Sequence, residues 1–206
     1  MKKIIAITLL SVMLFSCSDD DSDSPTSTEE SFFNLAEGNI WVYKRYRGID
    51  ATTPAEFTNT IDSVRVTGTA VIDGENYYRL SHREYNSGLF SSERDEFLRV
   101  NTHGHLVNGN GFVVHPGIDA MYQFTDVTEY GNVHYQLETQ ITTEVEDATY
   151  LIYPYVGYFD PAVTAIPEGL GCVFSYQSGV GLIVSRNRFV PNTGYFEDRL
   201  VYYEVQ

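Results

Sequence analysis

Few residues of this chain combine a reactive type with a spacing that chemistry can use. His103 and His105 stand two apart, and on a strand both would project from one face, as in His-x-His metal sites. Gly104 separates them within the turn-forming run Asn101-Thr102-His103-Gly104, with no cysteine or third histidine nearby, so they are expected to be exposed turn residues. His115 and His134 would meet only if the fold brought them together. Carboxylates cluster at Glu93, Asp95 and Glu96 and again at Glu144, Glu146 and Asp147. Neither group has the alternating Asp/Asn spacing with glycine of an EF-type calcium loop, and both read as solvated turns. No metal and no cofactor are therefore expected. Cys172, in the apolar run Gly171-Cys172-Val173-Phe174, has no neighbouring histidine to act as base and reads as a small buried hydrophobe. GxSxG, HExxH, P-loop and GxGxxG motifs are missing, which points away from catalysis.

Aromatic side chains are the remaining resource. The chain holds 16 Tyr and 12 Phe, more than one core of this size needs. Tyrosine offers a flat apolar face and a hydroxyl, the combination that stacks on sugar rings and lines interfaces. Tyr153, Tyr155, Tyr158 and Phe159 fall in a weakly patterned piece from 154 to 171 and its flank, broken by Pro154, Pro161 and Pro167, and are the expected ligand-binding residues on a long loop. The reading is a non-catalytic binding domain with an oligosaccharide as candidate ligand. The alternatives are an accessory subunit of an envelope protein complex and, third, a secreted hydrolase without a recognisable motif.

The elements that must position these residues are strands. Tyr, Phe, Val, Ile and Thr dominate from Phe32 onward, with turn-forming Gly and Asn between them, and apolar residues alternate at period two. Strands are expected over 40–47, 63–72, 76–85, 96–100, 105–107, 112–115, 121–130, 133–145, 149–155, 172–175, 182–188 and 199–205, with Asp73-Gly74 closing a hairpin. A short helical turn is expected over 32–38, ended by Gly38. The pattern predicts an all-β domain, 32–206: a single antiparallel meander forming either a closed, lipocalin-like barrel or a two-layer sandwich.

The N-terminal residues are of another kind. Lys2 and Lys3 precede an apolar stretch, 4–15, that is short of the ~20 residues a membrane span needs, and small Ser16 follows, as in a secretory signal over 1–16. Leu14-Phe15-Ser16-Cys17 resembles a bacterial lipobox, which implies that Cys17 is acylated and becomes the first mature residue, attached to a membrane through its lipid. Cys172 then has no intrachain disulfide partner. Ser18-Asp19-Asp20-Asp21 resembles the acidic export signal of Bacteroidota surface lipoproteins, which implies a surface-exposed, outer-membrane location. Gly179-Val180-Gly181-Leu182 is similar to a strand start in uncharacterised lipoproteins of the same group, and Asp62-Ser63-Val64 resembles their O-glycosylation site, with Ser63 as acceptor. Residues 17–31, acidic and without large apolar side chains after Cys17, are expected to form a disordered tether. Loss of Lys2 and Lys3 would take the net charge from −15 to −17, a surface that repels nucleic acid and anionic headgroups.

Overall fold

Alternation of large apolar side chains at every second position gives strands with one buried face. In β1 (Ile40–Gly48) Trp41 and Tyr43 are buried and their neighbours Ile40 and Val42 only half so. The computed structural model describes residues 32–50, 52–162, 169–188 and 194–206, and the expected signal segment, lipidated Cys17 and tether lie outside the described residues.

β1 pairs on one side with β2 (Glu56–Ile72) and on the other with β13 (Tyr195–Glu204), so the first and last strands meet in mid-sheet. From β2 the meander continues through β3 (Glu75–Asn86), β4 (Leu89–Val100), β5 (Leu106–Asn108) and β6 (Val113–His115). Leading away from β13 in the other direction are β12 (Gly181–Arg188), β11 (Gly169–Gln177), β10 (Ala148–Pro161), β8 (Gly131–Leu137) and β7 (Gln123–Thr128), every pair antiparallel. β9 (Ile141–Val145) pairs with the first part of β10. Asp73 and Gly74, with φ of 51° and 83°, close the expected hairpin, and Ser87-Gly88, at 50° and 81°, closes β3 to β4 in the same way.

The result is all-β, one antiparallel sheet of 13 strands. It is not a closed barrel: β6 and β7 remain as edges at the two ends of the strand order. The residues from 32 to 38 form turns and no helix. The expected long loop after 154 is largely strand, since β10 runs to Pro161 and β11 starts at Gly169. Pro154 does not break β10: it falls between Ala148–Ile152, which pairs with β9, and Tyr155–Pro161, which pairs with β8, while the β11 ladder runs through it opposite Ser175.

The core gathers between the two halves of the meander. Trp41 donates its indole N–H to Val180 O at 2.6 Å and Tyr43 its hydroxyl to Leu182 O at 3.0 Å, reaching past β13 to the start of β12. Val66, Ile183 and Leu200 are fully buried around them, each worth roughly 1.5–3 kcal/mol relative to exposure. β9 lies back on β10, and its following residue Glu146 reaches Lys44 and Arg199 at 3.7 and 3.6 Å.

Gly157 of β10 makes room for β8. A Cβ there would lie 2.7 Å from the Tyr135 ring and 2.8 Å from Val133 Cγ1. Gly157→Ala is expected to lower stability by roughly 1–3 kcal/mol, the usual penalty of overpacking, and to displace Tyr135. A urea titration that left the midpoint unchanged would contradict this.

Candidate functional site

β6 and β7 are consecutive in the chain although they end the strand order on opposite sides. The sheet therefore curls until its two edges flank one cleft, of about 400 Å³. Phe112 and Val114 come from the β6 side, Phe124 and Asp126 from β7, and Tyr135 and Tyr155 from β8 and β10. Strand register explains the grouping. Phe124 faces Tyr135 across β7 and β8, and Tyr155 faces Phe174 across β10 and β11. The Tyr135 and Tyr155 rings lie 5.4 Å apart.

Tyr155 is 2% exposed, and its hydroxyl has no hydrogen-bond partner among the described residues. Burial pushes its pKa well up, so it is a neutral phenol whose donor is unspent. Asn108, also on the wall, has used its side-chain carbonyl on the N–H groups of Asn110 and Phe112 at 3.0 and 3.1 Å. Cys172 is half-buried beside Tyr135, and burial raises its pKa, so the thiol stays protonated and unreactive.

The four aromatics expected on a loop are spread along β10. Tyr155 lines the cleft, Phe159 is packed inside, Tyr153 meets the Phe32 ring edge-on at 5.1 Å, and Tyr158 is exposed with its hydroxyl on Glu138 Oε1 at 2.8 Å. They do not form a single platform. Ser63 is half-buried on β2 between β1 and β3, opposite Val42 and Arg83.

His115 is fully buried next to Tyr155, with Nε2–H donating to Tyr153 O at 2.9 Å and Nδ1 accepting from Gly117 N at 3.0 Å. Burial pushes its pKa down to about 4, so it is neutral. His134 does not join it and pairs with Thr125. His105 is buried with Nε2 3.0 Å from Asp119 Oδ2, while His103 is exposed. Of the acids named from sequence, Asp95 pairs across strands with Arg79 at 2.7 Å and Glu93 with Arg83 at 3.4 Å. Among the described residues no group of three or more His, Cys, Asp or Glu side chains could hold a metal ion.

Sequence reasoning missed a second polar cluster. His82 of β3 stands between Asp62 of β2, 2.9 Å from Nδ1, and Glu96 of β4, 3.0 Å from Nε2. Burial opposes its protonation, but the hydrogen bonds to Asp62 and Glu96 outweigh it and raise the pKa, against a smaller opposing effect of Arg94. Arg94 Nη2 also lies 3.0 Å from Nδ1, so both ring nitrogens are engaged and neither is free to serve as a general base. The signal was the buried parity of β2 and β3, but pairing His82 with Asp62 needs the register.

Comparison with known proteins adds the fold. No protein-family model matches the sequence, and no curated protein is detectably similar. Among solved structures, a Bacteroides fragilis protein described as exported and as having a YmcC-like fold superposes with a TM-score of 0.51 at 10% identity, covering 85% of this chain and 99% of its own. A Parabacteroides distasonis protein described as a lipoprotein gives a TM-score of 0.42 at 15% identity over 85% of this chain and 99% of its own. At 10% identity, what this chain shares with the Bacteroides fragilis protein is the arrangement of strands.

The two buried histidines bend stability with pH in opposite senses. His82 has a raised folded pKa, so its contribution is complete below the ordinary value of 6.5 and is lost as pH rises through the folded value. His115 has a depressed one, so its contribution is present above 6.5 and is lost as pH falls through about 4, by about 3 kcal/mol. Urea midpoints measured across pH should lose part of their alkaline decline in His82→Gln and part of their acid decline in His115→Gln. Unchanged slopes in both variants would contradict these assignments.

Proposed function

We propose that this chain is an outer-membrane lipoprotein, held through acylated Cys17 and facing the medium, whose β domain binds a small ligand in the cleft between β6 and β7 without transforming it. The observation that carries the reading is that cleft: concave, about 400 Å³, and walled mostly by aromatic side chains. Size and lining fall within the range of small-molecule sites, which are mostly apolar with a few placed polar groups. Against catalysis stand the groups that could have performed it. His115 and His82 each have both ring nitrogens engaged, and burial raises the pKa of the Cys172 thiol. The charge of the chain argues against nucleic acid as a partner.

A role as an accessory subunit is the second reading, favoured by the β7 edge, all six of whose residues are exposed beside no further strand. An unprotected edge can accept a strand from another protein.

Two measurements test the proposal. Cys17→Ser should move the protein from the membrane to the soluble fraction, and retention in the membrane would contradict the anchor. In a thermal-unfolding panel of oligosaccharides and apolar small molecules, a ligand at 100 times its Kd should raise the midpoint by roughly 5–10 °C. No shift from any member, together with co-purification of an outer-membrane protein, would replace the small-ligand reading with the subunit reading.

A further inference from the structure

We infer that the seam cleft selects a small organic cation, an apolar body bearing one protonated amine that sits against Asp126 and the aromatic walls. The inference rests on the binding role proposed above and adds to it the charge of the ligand.

Three observations carry it. From 100 to 185 the chain holds nine Asp or Glu and no Lys or Arg, and this stretch supplies every wall residue of the cleft, from Asn108 to Phe174. The one charged side chain on the wall is Asp126, exposed, and no hydrogen bond or ion pair joins its carboxylate to a described residue. It stands two positions from Phe124 on β7, so both project from one face of the strand. After burial and Cys172, the charge of Asp126 is a further cause that pushes up the pKa of Tyr135, as expected of a carboxylate near that hydroxyl. The third observation is the rings. Phe112, Phe124, Tyr135, Tyr155 and Phe174 wall the cleft, and the π face of an aromatic ring attracts a cation within about 6 Å of its centroid. The Phe124 and Tyr155 centroids lie 6.1 and 5.4 Å from that of Tyr135, close enough for one cation to sit within range of two rings.

The sign of charge follows from these neighbours. An anionic head would meet Asp126 and an acidic stretch with no Lys or Arg to pair with. A neutral ligand lying over Asp126 would strip water from the carboxylate and return nothing to it. An ammonium group returns an ion pair to Asp126 and an attraction to the rings, together worth roughly tenfold in affinity over a neutral analogue of the same shape. For size, about 400 Å³ at ~30 Å³ per water-sized group admits about a dozen non-hydrogen atoms.

The test follows unfolding of the full-length protein by calorimetry in a non-ionic amphipol, which adds no charge of its own. Three probes share one body and differ in the head: 4-phenylbutylamine, which is protonated at neutral pH, 4-phenylbutanol and 4-phenylbutanoate, with maltotriose as the sugar. At 100 times its Kd the amine is expected to raise the midpoint by roughly 5–10 °C, the alcohol at the same concentration to raise it less, and the acid and the sugar to leave it in place. Asp126→Asn, at an exposed position, should bring the amine's shift down to that of the alcohol. Asp126→Lys, which supplies a cation from the protein itself, should abolish the amine's shift. Val113→Trp, which fills the cleft from a half-buried wall position, should keep its own cooperative transition and lose every shift. Equal shifts with amine and alcohol, both lost in Val113→Trp, would overturn the cation while the cleft stands as a binding site, and so would a shift with maltotriose alone that is lost in that variant. An amine shift that survives Asp126→Asn and Asp126→Lys undiminished would overturn the inference. One that also survives Val113→Trp would place binding elsewhere and overturn the binding role with it. The same head occurs on a free amine and on a lysine of another chain. Native mass spectrometry of the purified protein separates the two sources: a small bound amine supports the inference, and a bound polypeptide, with 4-phenylbutylamine leaving the midpoint in place, would overturn it.

Discussion

The pairing of β1 with β13 is the contact on which the rest of the sheet depends. It runs the length of β1, from Ile40 opposite Glu204 to Gly48 opposite Tyr195, and joins two meanders that otherwise lie apart in the chain. Once the first and last strands are locked in mid-sheet, the strand order ends at β6 and β7, the strands farthest from that pairing in both directions. Register shifts at Val42/Tyr43, Val66/Gly68, Glu84/Tyr85, Gly157/Tyr158 and Ser175/Tyr176 add twist and bend to successive strands. The sheet curls accordingly. Its two edges flank the cleft without pairing. The cleft is thus a consequence of topology.

The interior of such a sheet is aromatic, and aromatic side chains bring polar tips that need partners. Trp41 and Tyr43 solve this with backbone carbonyls at the start of β12, so the same two residues fill the core and tie β1 to a strand that is not its neighbour. The two buried histidines solve it in opposite ways. His115 is offered one carbonyl and one N–H and stays neutral, whereas the two carboxylates offered to His82 raise its pKa. The surroundings, and not the residue type, set the charge state. Tyr155 is the exception among the described aromatics, its hydroxyl buried without a partner.

Local chemistry made much of the fold legible. The alternation around Trp41 and Tyr43, and Asp73-Gly74 between two apolar runs, correspond to β1 and the β2–β3 hairpin, because side-chain period and turn residues are properties of neighbouring positions. The 154–171 segment misled for the same reason. Its prolines signal a break to any local reading, and only the change of partner from β9 to β8 at Pro154 explains why the strand continues. The site was legible in part. Tyr155 stood among the aromatics worth noting, but the adjacent Tyr158 and Phe159 fall on opposite faces of β10, one exposed and one buried.

What the sequence determined by itself was the kind of secondary structure, the positions of its tightest turns and the poverty of catalytic motifs, since each of these depends on residues close together in the chain. The open seam, the cleft beside it and the Asp62–His82–Glu96 clamp were decided by tertiary structure alone. Each joins residues on different strands: the clamp residues stand 14 to 20 positions from His82, and the cleft gathers side chains from Asn108 to Phe174. Strand register and sheet curvature, which arise from packing the whole meander at once, set which of those residues meet.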